Sequence, residues 1–327
     1  MDIFLILFII VLLIICCHIN SEGLIQFRSD SVIPYYNKYG IELDTENKLL
    51  IKDGKKIYYP NHFNTAEGIK LSDDKYTTKR NIINYGFPTP KYYKWNNRYS
   101  DKYNMKRVSK LNKPIVIKPI YGTYGINVTM DVNSDKIAFQ IIKKLLETDD
   151  NIIIEEQVKG NVYRILVFND KILSAYMKEP PYVTGTGIHT LQDLITIKNI
   201  EKKSLNGKFV KKIDEMLIKS QGYSLNDIIP IDTKIILSGV ANVNNGAEIT
   251  LEDINNIHPL NVKMFKKINK ICGLNYNGID FITYDLSIPY TEYGYFLENN
   301  ARAGIEGHYY LDKTFMNKLF KLIDFSK

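Results

Sequence analysis

The sequence predicts an α+β fold in several lobes, preceded by an amino-terminal hydrophobic helix. Three observations predict it. Apolar, strand-like runs come in adjacent pairs joined by tight-turn signals such as Asn169-Asp170. Capped helical segments lie between them. The 327 residues are 45% hydrophobic and 24% charged, ordinary for a folded body of about two domains. This excludes a collagen, a disordered tail and a multi-span membrane protein. The 43 basic and 36 acidic residues are spread along the chain, so the net charge of +7 forms no block dense enough to bind nucleic acid, and none is expected as a partner. Cys16, Cys17 and Cys272 are the only cysteines, too few for a disulfide framework or a Cys-based zinc site.

Residues 3–19 are apolar except for His18. At 1.5 Å per residue the run crosses roughly 25 Å, the short end of a bilayer span. It lacks the polar face of a core helix, and also the basic start and small-x-small cleavage site of a signal peptide. The reading is therefore a single-pass anchor within residues 1–20, with a cleaved signal as the alternative. Its flanks carry too little basic bias to orient it. Residues 21–62 form a polar amino-terminal segment in which residues 52–55 turn a hairpin between strands 49–51 and 57–59. The body is expected from residue 63 to 327. Ser72-Asp73-Asp74 caps a helix over 75–85 that Gly86 and the prolines 88 and 90 stop. Residues 91–112 read as polar loop. Then come a strand at 114–119, a glycine turn, a strand at 126–132, a helix over 134–147 and a strand at 151–156. Paired strands at 163–168 and 171–177 follow, then helices near 208–220 and 261–271. Strands at 277–283 and 293–300 and an amphipathic helix over 312–325 complete the chain.

Three segments carry chemistry. The first runs Ile115-Val116-Ile117-Lys118-Pro119, then Ile120 and Tyr121, then Gly122-Thr123-Tyr124-Gly125. A buried strand delivers a lysine to a turn with two glycines, whose N–H groups can close on an anion. That is a phosphate site in outline, although a plain hairpin turn reads the same way. In the second, residues 151–160 end an apolar strand in Glu155 and Glu156 before a glycine turn. The third places Asp280 in an apolar strand, with Glu298 and Asn300 two apart, and so on one face, of the next strand. If the strands pair, three oxygen donors meet near the phosphates, as Mg²⁺ requires. Solvated carboxylates at a sheet edge are the other reading. Composition adds a hint: the chain has 37 lysines but only six arginines, so Arg164 and Arg302, both close to these strands, resist the bias. A planar fork for phosphate or carboxylate explains that, as does an ordinary ion pair.

The assembled pattern resembles the ATP-grasp carboxylate–amine ligases, most closely the ATP-grasp module of cyanophycin synthetases. The resemblance covers residues 63–308, about three quarters of the chain. Its pieces stand in family order: DKYTTKR (74–80) with GFPTP (86–90), IVIKPIYGTYG, IIIEEQVKG, YRILVF, MKEPPYVTGTGIHTLQDLI, HPLN (258–261), GIDFI and LENNARAGIEGH. It implies an ATP-grasp fold, with a lid lobe over 113–158 and a core lobe over 160–327 clamping ATP. It implies ATP and Mg²⁺, or Mn²⁺, as cofactors. Lys75 and Lys118 would bind phosphates, under a cover of Gly122, Thr123, Tyr124 and Gly125. Glu155 and Val158 would meet adenine through backbone groups. Asp280, Glu298 and Asn300 would hold the metal, and Arg302, Arg164 and Lys178 would be the catalytic cations. Three positions depart from the family. Val162 stands where an acidic residue often holds the ribose, leaving Asn161 as its substitute. Gly185-Thr186-Gly187 replaces Gly-Asp-Gly, and Ala303 replaces a proline.

The implied reaction follows from charge. A carboxylate is a poor electrophile until ATP converts it to an acyl phosphate, which an amine then displaces to form an amide. The expected partners are a small carboxylate, an amine and, through residues 3–19, a membrane. Oligomeric state is not encoded legibly. Two other readings fit the same residues: an ATP-binding protein without turnover, and a phosphotransferase. The chain has no room for the additional half that cyanophycin synthetases carry, so polymerising cyanophycin is not expected.

Overall fold

In a computed structural model of the protein, the residues described are 36–44, 47, 49–58, 63–123, 125–204 and 210–323. The apolar run at 3–19 lies outside them. Among the described residues no helix is long and apolar enough to cross a membrane. The chain divides into two compact units, one within residues 1–62 with the last five residues, the other Phe63–Leu322.

In the first unit, β1 (Glu42–Asp44), β2 (Leu49–Lys52) and β3 (Lys55–Tyr58) form an antiparallel meander. The expected hairpin turn is there. Asp53 and Gly54 both take positive φ, as a two-residue turn that follows strand twist requires.

The second unit opens with α1 (Ala66–Asp73), capped by Thr65, and α2 (Lys75–Asn84), capped by Asp74, whose carboxylate accepts the Thr77 N–H at 2.8 Å. Residues 91–112, read as loop, contain β4 (Tyr92–Lys94) and α3 (Asp101–Val108). The helix buries Val108 and a polar anchor, Asn104, whose amide donates to the carbonyls of Asn96, Tyr99 and Ser100. An apolar periodicity cannot reveal a helix anchored that way. Next come β5 (Ile115–Pro119), β6 (Thr129–Val132), α4 (Asp135–Leu146) and β7 (Ile152–Glu156). β6 begins three residues later than expected, because Asn127 takes positive φ and extends the turn. Strand order is β4-β7-β5-β6, antiparallel throughout. Ile115, Ile117, Ile152 and Ile154 face Val108 and the Ala138, Ile142 and Leu145 stripe of α4. Lys118 and Glu155 point from the other face by strand alternation.

The Asn169-Asp170 hairpin joins β8 (Asn161–Phe168) to β9 (Lys171–Glu179), both turn residues at positive φ. A smaller lobe follows: β10 (Tyr182–Thr184), α5 (Leu191–Ser204), α6 (Glu215–Ser220) and β11 (Lys234–Ile236), around Val183, Leu191, Leu194, Ile195, Ile218 and Ile235. Here the expected helix near 208–220 shortens to α6, started by the Asp214 cap, while α5 and the β10–β11 pair had no sequence expectation. The Gly185-Thr186-Gly187 turn belongs to this lobe. A Cβ on Gly185 would lie 2.0 Å from the Pro230 carbonyl oxygen, so that glycine serves packing.

The chain then forms β12 (Glu248–Glu252), α7 (Pro259–Cys272), β13 (Tyr276–Thr283) and β14 (Tyr295–Asn300). With β8 and β9 they make a five-stranded antiparallel sheet, ordered β12-β9-β8-β13-β14. One face packs on Met264, Phe265, Ile268 and Cys272 of α7. A short helix, α8 (Glu306–Leu311), precedes the expected helix over 312–325, which shortens to α9 (Phe315–Phe320), with residues 324–325 outside the described ones. Asp312 separates the two helices: it is extended, and its side chain accepts from the Thr314 N–H and hydroxyl.

Candidate functional site

The sheet face opposite α7, covered by α8 at its β9 end, collects the site. Arg164 on β8 lies opposite Asp280 on β13, and Asp280 lies opposite Glu298 on β14. Asn300, two residues on, lies opposite Gly278. Lys178 on β9 pairs in register with Val162 and reaches across β8. Asp280, Glu298, Asn300, Arg164 and Lys178 therefore share one face, as the spacing predicts for the first three. A hydrogen-bonded set on the other face fixes the β13–β14 register. Asn277 donates to Asn269 at 2.9 Å and to Asn299 at 2.8 Å, and its oxygen accepts the Asn300 N–H at 3.2 Å.

Asp280 is 5% exposed and fully paired. Arg164 Nε donates to Oδ1 at 2.7 Å, Arg164 Nη2 to Oδ2 at 3.3 Å and Lys178 Nζ to Oδ2 at 2.9 Å. Burial alone would raise its pKa, but Arg164 and Lys178 outweigh that and hold it below the ordinary carboxylate range. Gly278 makes room for this arrangement. A Cβ there would lie 2.6 Å from Ala303 Cβ and 2.7 Å from Arg164 Nη1, which also explains a small residue at 303.

Facing these groups is a second ionic cluster. Lys118 Nζ lies 3.0 Å from Glu155 Oε2, and Lys79 Nζ lies 3.4 Å from Glu155 Oε1. By sequence Lys118 has no carboxylate nearer than Asp101 or Asp131. The fold corrects this, because β7 pairs with β5 and brings Glu155 beside it. Glu155 was expected to act through its backbone; its side chain in addition neutralises two lysines. Burial would raise Glu155, yet Lys118 and Lys79 bring it below its ordinary value. For Lys118, burial is likewise outweighed, by Glu155 first and then Glu298, so its pKa is raised. Lys79 goes the other way: burial lowers it to about 8 despite Glu155. Its Nζ is wholly buried without a hydrogen bond, 5.9 Å from the Phe296 ring centre.

Lys79 is the residue that sequence reasoning passed over. It lies inside the quoted DKYTTKR motif, one helical turn after Lys75, and the signal was that i,i+4 spacing beside buried Thr78 and Ile82. Lys75 itself donates to the Gly122 carbonyl at 2.6 Å and the Ile120 carbonyl at 3.4 Å, and stands 3.9 Å from Glu298. It thereby ties α2 to the glycine turn. Asp74 adds a second tie by accepting the Tyr121 hydroxyl at 3.1 Å. Gly125 takes φ +67°, and a Cβ there would touch Val240 at 3.4 Å. Thr123 is exposed, Tyr124 lies outside the described residues, and Val158 is half-buried just past β7. Arg302 stands apart, paired at 3.3 Å with Asp73 in an exposed bridge. Asn161 has its amide nitrogen on the Tyr284 carbonyl at 3.0 Å. His308 ends the LENNARAGIEGH motif. It is fully buried, bonded through Nδ1 to Ser174 at 2.8 Å, with Nε2 unpartnered. Burial, then Arg164, lowers it to about 3, so it is neutral at physiological pH.

The arrangement can hold a polyanion. A buried cation pair and a glycine turn face two carboxylates and an amide oxygen. These are hard oxygen donors of the kind Mg²⁺ takes. Asn300 Nδ2 is committed to the Gly278 carbonyl at 3.1 Å, which leaves its oxygen for a cation.

Comparison with known proteins gives the family. The chain is 31% identical over 249 residues to a cyanophycin synthetase of Nostoc sp., covering 74% of this chain and 27% of that protein. It is 29% identical over 254 residues to the Geminocystis herdmanii cyanophycin synthetase, covering 74% and 28%. A glutathione biosynthesis bifunctional protein of Clostridium perfringens is 28% identical over 267 residues, covering 73% and 33%. The chain thus spans less than a third of the length of the cyanophycin synthetases it matches. Among solved structures, a bifunctional glutathione synthetase from Pasteurella multocida shares the fold with a TM-score of 0.60 at 20% identity, over 88% of this chain and 42% of that one. A family model described as an ATP-grasp domain matches residues 72–304, well over half of the sequence, and the chain belongs to the ATP-grasp family.

Proposed function

We propose that the protein is an ATP-dependent ligase that activates a carboxylate as an acyl phosphate and joins it to an amine, releasing ADP and phosphate. The observation that carries this is the shared sheet face of Asp280, Glu298 and Asn300, set against the Lys79–Glu155–Lys118 cluster. The curated relatives named cyanophycin synthetase and glutathione biosynthesis protein support it. In this reading residues 113–158 are the covering lobe and 160–327 the core lobe. Lys79, Lys118 and Lys75 bind the phosphates under Gly122–Gly125, and backbone groups at Glu155 and Val158 meet the base.

Asp280, Glu298 and Asn300 fit Mg²⁺ or Mn²⁺ in donor type. Bound there, the metal supplies neutralisation of phosphate charge. The remaining work belongs to side chains. Lysines hold the γ-phosphoryl group in line, while Arg164 and Lys178 orient the attacking carboxylate; Arg302, paired with Asp73, stays outside this set. A carboxylate oxygen bonds to the γ-phosphorus and the bridging oxygen leaves with ADP. The amine nitrogen then bonds to the acyl carbon, loses a proton, and phosphate departs. The turn held by Lys75 and Tyr121 keeps water from the acyl phosphate. The test is a screen of the full chain with Mg-ATP against carboxylate and amine pairs, with products read by mass spectrometry. An amide with ADP and phosphate supports the reading; a stable phosphorylated product, or no turnover with any pair, refutes it.

The apolar run at 3–19 supports a single-pass membrane anchor. Full-length protein should stay with membranes through carbonate extraction, and release would favour a cleaved signal.

A further inference from the structure

Asp280 is the carboxylate a divalent cation would need most, being buried at the centre of the donor face, and both of its oxygens are already taken by cations. Glu298, the other carboxylate donor, has Lys75 at 3.9 Å. Across the site the cations Lys75, Lys79, Lys118, Arg164 and Lys178 face the anions Glu155, Asp280 and Glu298, a surplus of two positive charges. Such a face attracts a phosphate chain and repels a bare divalent ion.

The two cations on Asp280 are held differently. Arg164 is directly opposite in register, makes two contacts, and is wedged against the Gly278 backbone. A planar fork so packed is fixed. Lys178 comes from one strand further away, makes one contact at 2.9 Å, and ends a flexible stem.

We propose that Lys178 is an exchangeable counter-ion of Asp280. It occupies the metal's donor and, before nucleotide binds, keeps free divalent ions out. When a metal–nucleotide complex takes Asp280, the Lys178 ammonium is displaced toward the anionic carboxylate substrate. This rests on the metal reading of Asp280 given above. It deepens that reading in two ways: metal enters with the nucleotide rather than before it, and Lys178 becomes available to substrate only afterwards.

The proposal sets the sign of a mutation. If Lys178 merely supported Asp280 structurally, neutralising it would weaken metal binding. As a competitor, its removal must strengthen binding. The experiment is titration of full-length protein with Mn²⁺ alone, without nucleotide, read by electron paramagnetic resonance. Lys178→Met and Lys178→Gln should each bind Mn²⁺ at least tenfold more tightly than wild type. Lys178→Arg, which keeps the charge, should bind as weakly as wild type. Adding Asp280→Asn to Lys178→Met should abolish the gain. Folding is checked by far-ultraviolet circular dichroism, and two neutral variants guard against one misfolding. A folded neutral variant that binds Mn²⁺ no more tightly than wild type overturns the proposal. A gain that survives Asp280→Asn means the ion sits elsewhere, and then the metal reading itself is wrong.

Discussion

Replacing Glu155 by glutamine tests the ionic cluster at the heart of the site. The side chains are nearly isosteric, so packing is kept while one buried charge is lost. Glu155 sits 3.0 Å from Lys118 and 3.4 Å from Lys79, and Lys79 has no other polar contact. At an effective dielectric of about 20 each attraction is worth roughly 5 kcal/mol before desolvation. Removing one partner of a buried pair typically costs about 3–5 kcal/mol, because the survivors stay buried and uncompensated. The ligand-free variant should therefore melt on the order of 6–10 °C below wild type at pH 7. The loss should shrink with rising pH. In the variant Lys79 falls further below its ordinary 10.5, so the unfolded chain holds more protons than the folded one over a wider range, and stability rises with pH there. Calorimetric melts of both proteins at pH 7 and 10 are the assay. A difference under about 1 kcal/mol at pH 7, or a gap that widens at pH 10, would refute a charged, buried lysine pair held by Glu155.

Three further outcomes follow from the same geometry. Glu298→Ala and Asn300→Ala should each abolish ADP formation at millimolar Mg²⁺ and leave the ligand-free melt within a few degrees, since both side chains are half-buried and lie outside the apolar core; near-normal turnover in either would remove it from the metal site. Gly278→Ala should destabilise by about 1–3 kcal/mol through overpacking and push Arg164 off Asp280, so that Mg-ATP no longer supports turnover; an unaltered melt and rate would mean the 2.7 Å approach to Arg164 has no consequence. Mg-ADP affinity should fall by up to about tenfold per pH unit above pH 8, where Lys79 loses its proton, while the Lys79 contribution to ligand-free stability rises between about 8 and 10.5; titration calorimetry at pH 7 and 9 checks this, and a flat profile would mean Lys79 does not meet the phosphates.

Strand alternation made the donor face legible in the sequence. Glu298 and Asn300 are two apart, and Asp280 stands alone in an apolar strand, so pairing β13 with β14 was enough to unite them. Hairpin signals at Asp53-Gly54 and Asn169-Asp170 were equally local and equally clear. What stayed hidden depends on long-range pairing. Glu155 meets Lys118 only because β7 runs against β5, and Lys178 meets Asp280 only by reaching over β8. Lys79 meets Glu155 only across elements far apart in the sequence. Asn104 hid α3, being a buried residue with a polar name. The lobe containing α5 was not legible because its core joins Leu191, Leu194 and Ile195 to Val183, Ile218 and Ile235, residues spread along the chain.

The central claim is that a carboxylate is activated through its own oxygen. The direct measurement uses full-length protein, Mg-ATP, an amine and candidate carboxylates labelled with ¹⁸O, with the released phosphate analysed by mass spectrometry. Attack on the γ-phosphorus makes one labelled oxygen the bridge of the acyl phosphate, and amine attack at carbon leaves that oxygen on phosphate. Phosphate should carry one ¹⁸O for each amide formed, and none should appear when Lys118 or Glu298 is replaced. Phosphate released with oxygen from water alone, or retained on a stable phosphorylated substrate, would contradict it.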